Sequence, residues 1–159
     1  MTIQTNNPVF VIAEAGVNHN GSIKLAEKLV RAAASSGADA VKFQTFLARN
    51  LVTKHAEKAE YQKLLTQEVS QLEMLENLEL PFEEHKELMK LCNRLDIQFL
   101  STAFDSESLS FLSGVLNLPV LKIPSGELTN GPLLLEYAKS GCDLIVSTGM
   151  ADLEEIREA

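Results

Sequence analysis

Charged and polar side chains recur at the ends of short apolar runs along this 159-residue chain. The densest case is Lys122-Ile123-Pro124-Ser125-Gly126-Glu127, which follows the apolar run Leu116 to Leu121 and sets a cation, a hydroxyl, a glycine and a carboxylate within six residues. Charges seldom end a buried strand unless partners await them there. Pro124 cannot donate to a sheet ladder, so the strand stops at about Ile123. Four other runs end the same way, in Glu14, in Lys42 with Gln44, in Thr102 and in Ser147. Two lysines with hydroxyls from three strand ends suit a phosphate or carboxylate. Glu14 and Glu127 add proton transfer or contacts to sugar hydroxyls. Each residue alone has a plainer role: Glu14 can pair with Lys42, and Thr102 and Ser147 can cap the helices after them. Their recurrence at five strand ends is what points to an active site.

The elements that must position these residues alternate strand and helix. Val9 to Ala13 reads as a buried strand ending in Glu14-Ala15-Gly16. Asn18-His19-Asn20-Gly21 is loop chemistry. Ser22 caps a helix with apolar positions Ile23, Leu25, Ala26, Leu29, Val30 and Ala33, closed by Gly37. In the second strand, Ala38 to Phe43, alternation puts Ala40, Lys42 and Gln44 on one face and Val41 and Phe43 on the other. The stretch from Thr45 to Leu80 exceeds an ordinary connection. It contains a helix over Ser70 to Leu78 with Ser70 and Glu73 as a capping box, and is either a substrate-contacting excursion or a solvated insertion.

Pro81 opens a helix to about Leu95 that buries Leu88, Met89, Cys92 and Leu95. Ile97 to Ser101 is the third strand, followed by a helix over Ser106 to Leu112 and the fourth strand. Pro132 starts the next helix and Gly141 ends it. Asp143 to Val146 is the fifth strand, and Ala151 to Ala159 begins a fifth helix. Five βα units imply a parallel sheet with right-handed crossovers, and therefore one rim carrying every strand's C-terminal end. Barrels and doubly wound sheets both place chemistry on that rim.

The chain carries a formal net charge of −8, with 45% apolar and 23% charged residues. This argues against nucleic acid or an acidic membrane as a main partner. Cys92 and Cys142 are unclustered, which predicts reduced thiols and a cytoplasmic setting with no disulfide framework or zinc site. No basic residue precedes the first apolar run and that run stops at Glu14, so neither a signal peptide nor a membrane span is expected.

Ile12-Ala-Glu-Ala-Gly-Val-Asn-His-Asn-Gly21, Val41-Lys-Phe-Gln-Thr45, Leu100-Ser-Thr-Ala-Phe-Asp105, Lys122 to Glu127 and Ser147-Thr-Gly-Met150 together resemble the sialic acid synthase family. Ala59-Glu-Tyr-Gln62 and Gln71-Leu-Glu-Met-Leu75 are most similar to its bacterial legionaminate and N-acetylneuraminate branch. The resemblance spans about Val9 to Ala159. It implies an α/β chain forming part of a TIM (β/α)8 barrel, with residues 1–159 as the N-terminal portion of the barrel domain. It implies a transferase that condenses phosphoenolpyruvate with the open-chain aldehyde of an N-acetylated amino sugar to give a nonulosonic acid and phosphate.

By the family pattern Lys42, Thr102, Lys122, Ser125 and Ser147 hold phosphoenolpyruvate. Glu14 manages the water or proton, and Gln44 and Glu127 face the sugar. The resemblance also implies a divalent metal (manganese or magnesium) in the full-length family member, with histidine ligands beyond residue 159, an antifreeze-like domain beyond them, and a homodimer. No metal role is assigned to His19, a loop histidine expected to serve as a hydrogen-bonding residue. Ala103 stands where proline is usual, which is expected to alter loop stiffness more than chemistry. Three other readings stay open: a non-catalytic truncated fragment, an aldolase-like barrel using Lys42 or Lys122 as a Schiff-base amine, and a flavodoxin-like open sheet.

Overall fold

A computed structural model describes residues 9–53 and 70–159. Five parallel strands alternate with helices. Strand β1 (Ile12–Gly16) leads to α1 (Ile23–Ser35), then β2 (Ala40–Thr45) and the short α2 (Ala48–Leu51). Helices α3 (Gln71–Glu76) and α4 (Phe82–Arg94) precede β3 (Gln98–Ala103). Next come α5 (Ser106–Ser110) with a π-helical turn over Phe111–Val115, then β4 (Val120–Ile123) and a 3-10 turn at Ser125–Glu127. The last elements are α6 (Gly131–Lys139), β5 (Asp143–Val146) and α7 (Leu153–Glu158). The legionaminate-branch segment Ala59 to Gln62 lies outside the described residues.

The strands follow sequence order. β1 pairs with β2 and β2 with β3, while β4 pairs with β5 and lies beside β3. A flavodoxin-like sheet would place β1 between β2 and β3; here β1 borders only β2 among the described strands, so that alternative is set aside. The two faces also differ. The larger apolar cluster joins Val41, Phe43 and Phe99 to Val30 of α1, Leu88 of α4 and Tyr137 of α6. The opposite face carries a small cluster of strand and strand-entry residues: Ala40, Leu100 and Val120, with Phe10, Ile12 and Ile145 packed against it. Period-two alternation therefore sorts each strand into a helix-facing and an inner set.

Several predicted boundaries move. β1 starts at Ile12 rather than Val9, because Val11 is already committed to the loop before β2. Its N–H donates to the Asp39 carboxylate at 2.7 Å and its carbonyl accepts from the Asp39 and Ala40 N–H groups. β2 and β3 each end two residues later than expected, since Gln44-Thr45 and Thr102-Ala103 stay in register with one another. Pro81 sits one position before its helix, and His85 and Leu91, not Met89 and Leu95, join Leu88 and Cys92 as fully buried. Of the expected Ser70–Glu73 capping box, the Ser70 side chain accepts from the Glu73 N–H, and Ser22 accepts from that of Leu25. Cys92 is buried and Cys142 half-buried; both are free. No described helix is long and apolar enough to cross a membrane.

Candidate functional site

Counting two residues along each strand from the inner cluster reaches the predicted site residues. Ile12 leads to Glu14, Ala40 to Lys42 and then Gln44, Leu100 to Thr102, Val120 to Lys122, and Ile145 to Ser147. Alternation aims these side chains to the same face as the apolar residues below them. The C-terminal ends of parallel strands thus bring cations, hydroxyls and a carboxylate onto one rim.

Glu14 and Lys42 are directly opposed across the β1–β2 ladder. Their side chains form an ion pair of 2.5 Å in which Lys42 is 10% exposed and Glu14 56%. The ammonium is therefore held in a desolvated place with one open-sided counter-ion. Just beyond, the ladder bulges and Gly16 adopts φ +52°. A methyl group at Gly16 would stand 3.3 Å from Glu14 Oε1 and 3.5 Å from Gln44 Nε2, so the bulge brings those two side chains to one spot.

Lys122 is half-buried. Burial holds its ammonium pKa below the usual lysine range, the nearby Lys42 charge lowers it further, and Glu14 partly offsets both. This mutual influence places Lys42, Lys122 and Glu14 within one electrostatic neighbourhood. Gln44 and Thr102 are paired across β2–β3. Thr102 is buried, and its Oγ1 has no hydrogen-bond partner among the described residues. Such an orphaned hydroxyl, at the end of a strand beside a lysine, is free to bond a ligand oxygen.

Thr102 does not cap the following helix; the Asp105 carboxylate does, accepting from the Ser108 N–H at 2.9 Å. Likewise Asp152, not Ser147, caps α7, and the Ser147 N–H donates to the Ile123 carbonyl at 3.1 Å. Both plainer roles for these hydroxyls are thereby removed. Glu14 does pair with Lys42, as its plainer role required. Ser125 and Glu127 lie on the 3-10 turn after β4. Glu127 is oriented by Asn130, whose Nδ2 donates to it at 2.8 Å while Oδ1 accepts from the Leu133 N–H at the start of α6.

Two buried histidines lie behind this rim, the first of them in the hydrogen-bonding role expected of it. His19 is fully buried against Phe43, with Nδ1 accepting from the Gly21 N–H at 3.1 Å. Burial, then the neighbouring His85, lowers its pKa to about 4. His85, unremarked in the sequence, is also buried, with Nδ1 3.2 Å from the Pro81 carbonyl and Nε2 3.5 Å from that of Gln44, and burial lowers its pKa. Gly21, at φ +70°, passes so close to the Asn77 carbonyl that a methyl there would stand 2.5 Å from its oxygen. These contacts fix the β1–α1 loop. Among the described residues, no three His, Cys, Asp or Glu side chains converge as a metal site. The described residues thus do not make up a three-ligand set for the expected divalent metal.

Fold and rim together define an α/β protein of parallel strands whose strand-end face can receive a multiply charged oxyanion. The chain belongs to the NeuB family, whose model matches residues 29–159. It is 58% identical over 151 residues to the N,N'-diacetyllegionaminic acid synthase of Legionella pneumophila, covering 94% of this chain and 42% of that protein. The Campylobacter jejuni protein of the same name is 53% identical, with 94% and 45% covered. Among solved structures, the N-acetylneuraminic acid (sialic acid) synthetase of Leptospira borgpetersenii, in complex with citrate, is similar with a TM-score of 0.80. It is 32% identical, with 96% of this chain and 49% of that one covered. The chain spans less than half the length of the curated relatives it matches.

Proposed function

We propose that this chain carries the phosphoenolpyruvate side of the active site of a legionaminate or N-acetylneuraminate synthase, a transferase acting on an N-acetylated amino sugar. The observation that carries the reading is the cation pair Lys42 and Lys122 beside the orphaned Thr102 hydroxyl, on the rim above an apolar inner face. High identity to two N,N'-diacetyllegionaminic acid synthases favours the diacetamido sugar. The sequential strand order, with the described helices packed on one face, supports reading residues 1–159 as one arc of a parallel β/α barrel domain.

In this reading Lys42, Lys122, Thr102, Ser125 and Ser147 bind the carboxylate and phosphate of phosphoenolpyruvate. C3 of that substrate attacks the sugar aldehyde, water adds at C2, and phosphate departs by C–O cleavage. Glu14, on the open side of Lys42, holds or releases the proton of the incoming water. Gln44 beside it and Glu127, steadied by Asn130, accept sugar hydroxyls.

Calorimetric titration of phosphoenolpyruvate into the intact protein tests the reading. Lys122→Ala is expected to weaken binding by about 10- to 150-fold, the equivalent of about 1.5–3 kcal/mol for a hydrogen bond to a charged group. Equal affinities would remove Lys122 from the site. A second reading is favoured by the lowered Lys122 pKa, since a desolvated lysine next to another cation is also how Schiff-base amines are activated. Borohydride with pyruvate separates the two: the synthase reading expects no covalent adduct, and a trapped adduct on Lys122 or Lys42 would establish the aldolase.

A further inference from the structure

β3 and β4 lie side by side, yet no ladder joins them among the described residues. At the C-terminal end of this seam stands the hydroxyl of Tyr137, brought in by α6 from the helix side. It accepts from the Ala103 N–H at 2.9 Å, donates to the Ala103 carbonyl at 2.7 Å, and lies 3.2 Å from the Lys122 carbonyl. One phenolic proton serves two carbonyls, one on each strand. Tyr137 is completely buried. Burial raises its pKa well above the usual phenol range, so the group remains a donor at any working pH.

The backbone atoms it touches belong to the residue after Thr102 and to Lys122 itself. We propose that Tyr137 is a positioning residue of the anion site. Its hydroxyl, standing in for the missing ladder between β3 and β4, sets where Lys122 stands relative to Thr102 and Lys42. The proposal rests on the anion-site reading above. Without the hydroxyl, side-chain packing alone would fix the spacing of two strand ends whose side chains must grip one ligand. Misplacement of such groups by an ångström is costly.

Tyr137→Phe keeps the ring and removes only the oxygen. In the intact protein it is expected to weaken phosphoenolpyruvate binding about tenfold, a loss that disappears when Lys122 is already alanine, because coupled residues fail to add. Additive losses would overturn the proposal. Leu133→Ala, in the buried face of the same helix, is the control for general core damage. It is expected to lower the melting temperature and leave the affinity unchanged; an equal affinity loss would mean that any damage to α6 suffices, and would also overturn it.

A measurement without substrate keeps the two readings apart. The pH dependence of Lys122 acetylation by acetic anhydride, followed by mass spectrometry, reports the Lys122 ammonium directly. Tyr137→Phe is expected to move the profile to higher pH as Lys122 drifts from Lys42, and an unchanged profile would refute the positioning role. If the wild-type protein binds no phosphoenolpyruvate, the anion-site reading fails on its own, and the acetylation profile alone decides the role of Tyr137.

Discussion

Replacing Glu14 by glutamine removes one charge and almost no volume from a pair that joins a buried cation to a half-exposed anion. A fully buried ion pair loses about 3–5 kcal/mol when one partner goes, and an exposed pair about 0–1 kcal/mol. With Lys42 10% exposed and Glu14 56% exposed, and an amide still able to bond Lys42, the loss for the empty protein falls at about 1–2 kcal/mol. That corresponds to a melting temperature lowered by about 2–8 °C for a domain of this size. The ligand-bound protein should respond in the opposite sense. Glu14 is the internal counter-ion that an arriving oxyanion must compete with for Lys42. Its removal is therefore expected to tighten phosphoenolpyruvate binding about 5- to 10-fold, or about 1–1.4 kcal/mol. If Glu14 also handles the proton of the attacking water, kcat falls by about 10²–10⁴ while KM for phosphoenolpyruvate falls with it. Thermal unfolding with and without phosphoenolpyruvate, calorimetry and a phosphate-release assay read all three quantities. Weaker phosphoenolpyruvate binding with an unchanged melting temperature would refute the reasoning, because Glu14 would then be neither the counter-ion of Lys42 nor a competitor of the ligand.

Three further expectations concern acid stability, association and turnover. His19 is held neutral with a pKa of about 4, against 6.5 when unfolded. Between those values the unfolded chain binds a proton that the folded chain refuses, so stability falls on acidification through this window; from pH 7 to 5 His19 alone contributes a loss of about 2 kcal/mol. Burial shifts His85 the same way; urea midpoints at pH 7 and 5 test this, and equal midpoints would contradict it. Residues 1–159 expressed alone are expected to self-associate, because β5 exposes Leu144 and Val146 and, among the described strands, β1 and β5 each have one neighbour. They are also expected to release no phosphate from phosphoenolpyruvate with manganese and N-acetylmannosamine or its diacetamido analogue. Turnover by a chromatographically pure monomer of this length would reverse that expectation.

The inner set of residues was legible because side-chain alternation survives errors in strand ends. Beginning β1 at Val9 sets its start three residues early, yet Glu14, Lys42, Thr102 and Lys122 keep their face. Asp143 to Val146 came out as read, since Gly141 at φ +75° and the strand-end Ser147 bracket it clearly. What stayed hidden were contacts between distant segments. Nothing local in Phe-Glu-Glu-His-Lys marks His85 as buried, and nothing in α6 announces that its tyrosine reaches two strands. The helix expected over Ser106 to Leu112 passes into a π-helical turn after Ser110, where Phe111 and Leu112 fit either pattern and both are buried. Ala103, read as a matter of loop stiffness, proved to be a backbone donor to Tyr137, which a proline at that position could not be.

The alternation that sorts inner from outer residues also acts as a parity check on the gene. A deletion of Val41, the one residue between Ala40 and Lys42, would leave every other amino acid unchanged and turn the ammonium into the layer occupied by Phe43 and Leu88. A lysine exchanged for another residue loses one contact; a strand shortened by one loses the whole set beyond the cut. Strand length in this chain is therefore under tighter constraint than strand composition. Insertions and deletions should be tolerated in the surface connections, where no alternation needs to be kept, well before they are tolerated in the four to six residues of any strand.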